Sequence, residues 1–183
     1  MGFYVESADR AYSSRQAAEE LHVGTIVTTD SNDMYVNADA QDNRLDAVVT
    51  KPRSAPHIAF DEDDEDPTRT YEADGRRAPA LPLADGDVIK ALTITETTDG
   101  VTTSPDISEG NVVGVVDTSN ADAPDNAGRL VEEGYSNDEN DDAAATTFSR
   151  ANGNFLALGV AERDSESKFD AAVRVRVNRE NLQ

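Results

Sequence analysis

Four times in this chain a glycine leads into a short apolar run. Gly24 precedes Ile26-Val27, Gly86-Asp87 precedes Val88-Ile89, Gly110-Asn111 precedes Val112-Val113, and Gly153-Asn154 precedes Phe155-Leu156. Each reads as a tight turn feeding a new strand, because glycine supplies the backbone freedom a sharp reversal needs. Valine leads the apolar residues, as strands prefer. Little amphipathic helix follows residue 80, so the crossovers of a parallel α/β sheet cannot be built. The expected class is mainly β: a small antiparallel β-barrel or sandwich with an N-terminal arm, a short helix and long acidic loops. The four recurrences are too loose to define an internal repeat.

Residues 1–22 read as an arm followed by a short helix. Phe3-Tyr4-Val5 forms an apolar tip, and Arg15 to Leu21 (RQAAEEL) is rich in helix formers. Residues 23–60 read as a β-rich lobe or insertion, with strands at Val23–Thr29, Met34–Val36 and Leu45–Thr50 and a turn at Asp30-Ser31-Asn32-Asp33. Residues 61–82 read as an exposed linker loop, opening on the acidic run DEDDED and interrupted by proline. Residues 83–183 then carry a succession of short strands. Val88–Thr97 runs into Asp99-Gly100, a hairpin signal because a type I′ turn needs positive φ at both central residues. Val112–Val116 (VVGVV) is apolar on both faces and predicts a buried strand. Asn152-Gly153 marks a further turn, and Ser136–Ala143 a second acidic loop. The last strand alternates Val173, Val175 and Val177 with Arg174, Arg176 and Asn178, so one face is apolar and the other cationic.

Charge speaks to the solvent. The chain carries 37 Asp+Glu against 16 Lys+Arg, a formal charge of −21 over 183 residues. Lys51, Lys90 and Lys168 are its lysines, and it has no cysteine or tryptophan. In molar salt the Debye length falls to about 3 Å, which screens the self-repulsion such a chain meets in dilute buffer. This is the composition of a protein adapted to brine. It opposes binding to nucleic acid or to anionic membrane, and no window approaches a membrane span of about 18 apolar residues. No basic region with a following apolar stretch opens the N-terminus, so no signal peptide is expected.

Catalytic signatures are missing: no G-x-S-x-G elbow, H-E-x-x-H, Walker A loop or G-x-G-x-x-G occurs. A Ser-His-Asp triad would have to use His22 or His57, and both read as ordinary polar residues. The acidic runs at Asp61–Asp66 and Asp138–Asp142 lack the central Gly and terminal Glu of an EF-hand loop, and read as sites of diffuse counterion attraction. No catalytic residue, cofactor or metal is assigned, and the chain is read as a non-enzyme. Arg174, Arg176 and Arg179 are conspicuous in so acidic a chain. They either pair with the chain's own carboxylates or meet a carboxylate-rich partner, such as another copy.

The segment from Pro82 to Val177 resembles the head decoration, or capsid cementing, proteins of tailed viruses. The resemblance is carried by Leu83-Ala84-Asp85-Gly86-Asp87-Val88-Ile89, by Gly110-Asn111-Val112-Val113-Gly114-Val115-Val116, by Leu158-Gly159-Val160-Ala161 and by Val173-Arg174-Val175. Together with the composition it implies a virus infecting haloarchaea. It implies a non-enzymatic protein, assembled in the host cytoplasm, that sits on the capsid exterior and binds the major capsid protein and itself, as a homotrimer or other homo-oligomer. It also gives Phe3, Tyr4 and Val5 a role, adding a strand to a capsid-protein edge. The extra sequence from Gly24 to Arg77 departs from compact members of that family. Two other readings stay open: a tail, baseplate or receptor-facing virion component, and a cytosolic haloarchaeal ligand-binding barrel or enzyme.

Overall fold

The computed structural model describes residues 13–42, 44–50, 70–71, 77–98, 101–119, 127–137, 146–165 and 172–178. Its strands are β1 (Ser13–Gln16), β2 (Leu21–His22), β3 (Ile26–Thr29), β4 (Tyr35–Asn37), β5 (Ala47–Val49), β6 (Thr70–Tyr71), β7 (Arg77–Pro82), β8 (Val88–Leu92), β9 (Glu96–Thr98), β10 (Val101–Thr103), β11 (Val112–Val116), β12 (Leu130–Glu132), β13 (Ser136–Asn137), β14 (Thr146–Thr147), β15 (Phe155–Ala161) and β16 (Ala172–Val177). No α-helix occurs among the described residues; two single-turn 3-10 segments, Ala40–Asp42 and Arg150–Asn152, are the helical content there.

Two five-stranded antiparallel sheets dominate, ordered β1-β7-β5-β3-β4 and β12-β11-β15-β16-β8. Each curls until its outer strands touch at one parallel bridge, Ala17–Tyr35 in the first and Thr93–Leu130 in the second. Neither is sealed by a continuous ladder, so of the two expected forms the architecture is the sandwich-like one and not a closed barrel.

The two sheets are built to one plan. Taken in chain order, β1, β3, β4, β5 and β7 pair as β8, β11, β12, β15 and β16 do. The registers agree as well: Ile26↔Val48 matches Val112↔Val160, Ala47↔Pro82 matches Gly159↔Val177, and Ser13↔Ala80 matches Ile89↔Val175. Even the connecting hydrogen bonds recur. Gly24 N–H donates to Val49 O and Gly110 N–H to Ala161 O, each at 2.9 Å. Ala18 N–H donates to Tyr35 O and Ile94 N–H to Leu130 O, again at 2.9 Å. The recurrence of Gly before an apolar run, too loose to define a repeat in sequence, therefore marks one at Gly24 and Gly110. All four of those strand-leading glycines have positive φ, between 71° and 97°.

The junction of the two units is apolar and shares one core. The inner face of the second sheet contributes Ile89, Val115, Leu130, Leu158 and Val175, and the outer face of the first contributes Ile26, Ala38, Leu45, Val48, Leu81 and Leu83. A second cluster fills the inside of the first sheet with Ala17, Val27, Tyr35, Ala47, Val49 and Ala80, plugged by Leu21, Val23 and Tyr71. A third covers the outer face of the second sheet, where Phe148 joins Val116, Val131, Phe155 and Ala157. With both faces of the second sheet covered, Val113–Val116 is buried and Val112 partly so, which is why the run is apolar on both sides.

Three expectations are corrected. Arg15 to Leu21 is not helical: Ser13–Gln16 forms β1 against Arg77–Ala80. Seven good helix formers are too few to outweigh a tertiary ladder. The stretch expected as a linker ends in β7, which lies between β1 and β5. Its prolines are accommodated, since Pro79 still accepts at its carbonyl from Thr50 N–H at 2.9 Å. The strand expected over Val88–Thr97 divides after Leu92, where Thr93 turns to meet Leu130. Its end, β9, pairs antiparallel with β10, Thr98 opposite Val101, while Asp99-Gly100 between them lies outside the described residues.

Candidate functional site

A groove of about 480 Å³ lies at the open end of the first unit, lined by residues of β1, β3, β4, β5 and β7, the turn between β3 and β4, and the segment before β5. A hollow of about 310 Å³ shares Ser13, Arg15 and Asp33 with it and extends along β1 to Gln16 and Arg77. The turn is built by Asp30, whose Oδ1 accepts from Asn32 N–H at 2.9 Å and Met34 N–H at 2.8 Å. These bonds, that of Met34 foremost, hold the Asp30 carboxyl below its ordinary pKa because they favour the ionised form. Asp33 closes the turn with φ 65°.

Inside the groove the polar groups are committed to one another. Arg15 donates to Asp33 Oδ1 and lies over the Tyr35 ring, 5.8 Å from its centroid. The Tyr35 hydroxyl hydrogen-bonds Ser13 Oγ. Asp46 Oδ2 accepts from Thr29 N–H at 2.9 Å and sits 3.5 Å from Arg44 Nε, while Arg44 Nη2 donates to Thr29 O at 2.5 Å. No nucleophile rests against a base here. Arg15 pairs with Asp33 and Arg44 with Asp46, and the third carboxylate, Asp30, is held by the backbone N–H groups of its own turn.

The internal repeat shows what this place does elsewhere. Ser13, Arg15, Thr29, Tyr35 and Asp46 correspond by register to Ile89, Ala91, Val115, Leu130 and Leu158. In the second unit those five residues are buried in the shared core, against the outer face of the first unit. One surface is thus an apolar seat already occupied and the other a polar seat left open.

The cationic strand face lies on β16. Arg174 sits opposite Lys90, and Arg176 opposite Val88. Arg176 Nε donates to Glu162 Oε1 at 2.6 Å, and Arg174 Nε lies 4.0 Å from Glu162 Oε2. This is the intramolecular alternative of the two left open by the sequence. Arg179 and the tip Phe3, Tyr4 and Val5 lie outside the described residues, as do His57 and the runs 61–66 and 138–142. His22 is half-buried, its Nε2 3.4 Å from Glu20 Oε1, and away from the groove. Among the described residues no group of three His, Asp or Glu side chains is placed to hold a metal, and no helix is long and apolar enough to cross a membrane.

Sequence reasoning singled out none of the groove side chains. They come from strands that meet only on folding, and the one local signal, the Asp30–Asp33 turn, reads as ordinary punctuation. Comparison with family models, curated proteins and solved structures found no match to this chain.

Proposed function

We propose that this protein is an adhesive structural component of a virion, coating the outside of an icosahedral capsid through contacts to the major capsid protein and to itself. The observation that supports this reading best is the groove. It presents two Arg–Asp pairs and a carboxylate held by backbone N–H groups, in place of a convergent reactive set. The brine-adapted composition and the decoration-like segment from Pro82 to Val177 point the same way. Attachment is the sum of many modest contacts repeated over a shell, which gives strong retention without a strong single site. In molar salt, apolar and hydrogen-bonded contacts carry the affinity, because exposed ion pairs are screened.

The test is copurification. Particles from the producing cells, banded in molar KCl, should carry this chain at a copy number proportional to that of the major capsid protein. A handful of copies per particle would place it in the tail or baseplate instead. Absence from particles, with a small molecule raising the melting temperature of the free protein, would replace the reading by the ligand-binding one.

A further inference from the structure

We infer that the outer edge of β1 is a docking site for an extended, carboxylate-bearing segment of a second protein, which adds there as a strand. The inference stands on the edge itself and is independent of the virion reading. Thr50 N–H donates to Pro79 O at 2.9 Å, so the main chain of Pro79 faces β5 and that of Ala78 and Ala80 faces β1. Their partners Arg15 and Ser13 therefore bond β7, and the alternate residues, Ser14 and Gln16, turn their main chain outward. Both are exposed, and among the described residues nothing bonds Ser14 N–H, Ser14 O or Gln16 N–H. The opposite edge of this sheet is already served. Tyr35 O accepts from Ala18 N–H at 2.9 Å, and Asn37 N–H donates to Glu19 Oε1 at 2.6 Å.

In the second unit the same edge position takes a passing backbone. Leu92, the register equivalent of Gln16, donates its outward N–H at 2.9 Å to Gly24 O, which belongs to a segment outside its own sheet. In the first unit β1 and β4 touch at Ala17–Tyr35 and part from there, leaving the hollow of about 310 Å³ between Ser13–Gln16 and Asn32–Met34. Its lining is polar, which suits a hydrophilic strand. Arg15 is matched there by Asp33, but Arg77, exposed at the rim, has no ion pair among the described residues. In a chain of 37 carboxylates, an Arg left without one beside an open edge is complementary to a carboxylate from outside. Main-chain hydrogen bonds then supply the affinity, and Arg77 fixes the register.

The experiment pans a phage library of random decapeptides on the immobilised full chain in molar KCl. Enriched peptides should share an Asp or Glu and should slow amide exchange at Ser14 and Gln16. Gln16→Pro removes the outward N–H at an edge position that tolerates proline, and should weaken their binding at least about tenfold. Gln16→Ala keeps the N–H and should bind as wild type does. Arg77→Glu should enrich peptides with Lys or Arg in place of the carboxylate. The inference is overturned if no peptide is enriched, if Gln16→Pro holds the peptides as tightly as wild type, or if they protect amides elsewhere. A dimer of the free chain that Gln16→Pro abolishes overturns it too, since the edge would then belong to a second copy. If Gln16→Pro fails to fold, amide protection at Ser14 and Gln16 in the wild type decides the matter.

Discussion

Asp33 and Gly128 hold the same position in two copies of one design, with φ of 65° and 70°, yet they are not interchangeable. Asp33 lies in an exposed turn. A Cβ on Gly128 would stand 2.5 Å from the carbonyl oxygen of Ile26, in the interior of the junction. A left-handed residue with a side chain carries a steric penalty of about 1–2 kcal/mol, eased for Asp. Asp33→Gly should therefore fall within about 0.5 kcal/mol of wild type, since the Arg15 pair it removes is worth little at a surface. Gly128→Asp should lose at least about 2 kcal/mol by adding a clash to the strain. Denaturant midpoints in molar KCl measure both.

Gly159 separates the two units in a second way. Its register equivalent is Ala47, which carries a Cβ without difficulty, but a Cβ at Gly159 would run into the carbonyl of Arg176 and the Val175 side chain. Gly159→Ala should cost about 1–3 kcal/mol by forcing β15 away from β16. A variant with an unchanged melting temperature would show that these strands can part locally.

Leu130 is fully buried where the two sheets share their core, and its equivalent Tyr35 reaches the groove with its hydroxyl. Leu130→Ala should cost about 2–5 kcal/mol through lost burial and the cavity left behind. Tyr35→Phe should cost about 1 kcal/mol, the net value of one hydrogen bond. Thermal unfolding of the two variants tests the ranking.

The Glu133–Arg150 pair should set part of the acid limb. Arg150 donates to Glu133 from both Nε and Nη2, at 2.9 and 2.7 Å, and this bonding holds the Glu133 carboxyl below 4.5 while raising the Arg150 guanidinium. A depressed folded-state value stabilises the protein above pH 4.5, and that contribution is lost as pH falls through the folded value. Because Arg150 is 42% exposed, the effect is at most about 1 kcal/mol in molar salt. Glu133→Gln should flatten the decline in melting temperature below pH 4.5 and lower the plateau slightly. An identical acid limb in wild type and variant would count against the pair.

Salt itself should be the strongest lever. With a formal charge of −21, lowering KCl from molar to 0.1 M lengthens the Debye length from about 3 to about 10 Å and exposes self-repulsion. The melting temperature should fall steeply over that range, and circular dichroism across a KCl series would reveal it. A flat profile would mean the carboxylates are too dispersed to matter.

What could be read from residues alone was what backbone geometry enforces. Glycine before Ile26, Val88, Val112 and Phe155 marked real turns, the β-rich runs ending at Thr98 and starting at Val101 do pair, and the alternation at Val173, Val175 and Val177 is a strand with one buried face. What escaped was anything decided by distant neighbours. Arg15 to Leu21 favours helix locally, but the partner of Ser13–Gln16 lies at Arg77–Ala80. The duplication was hidden because equivalent side chains face different surroundings. Ser13 meets water where Ile89 meets the other unit, and Asp46 pairs with Arg44 where Leu158 is buried. The groove follows from the same divergence and shares its illegibility.

The first unit draws its strands from residues 13–82 and the second from residues 88–177, without exchange between them. During synthesis the earlier half can therefore finish its sheet while the later half is still on the ribosome, since its closing strand ends at Pro82. The later half emerges with a greasy hollow that only the earlier half is shaped to cover. Vectorial translation thus delivers the template before the part that needs one, and reversing the gene order of the two halves would remove that protection.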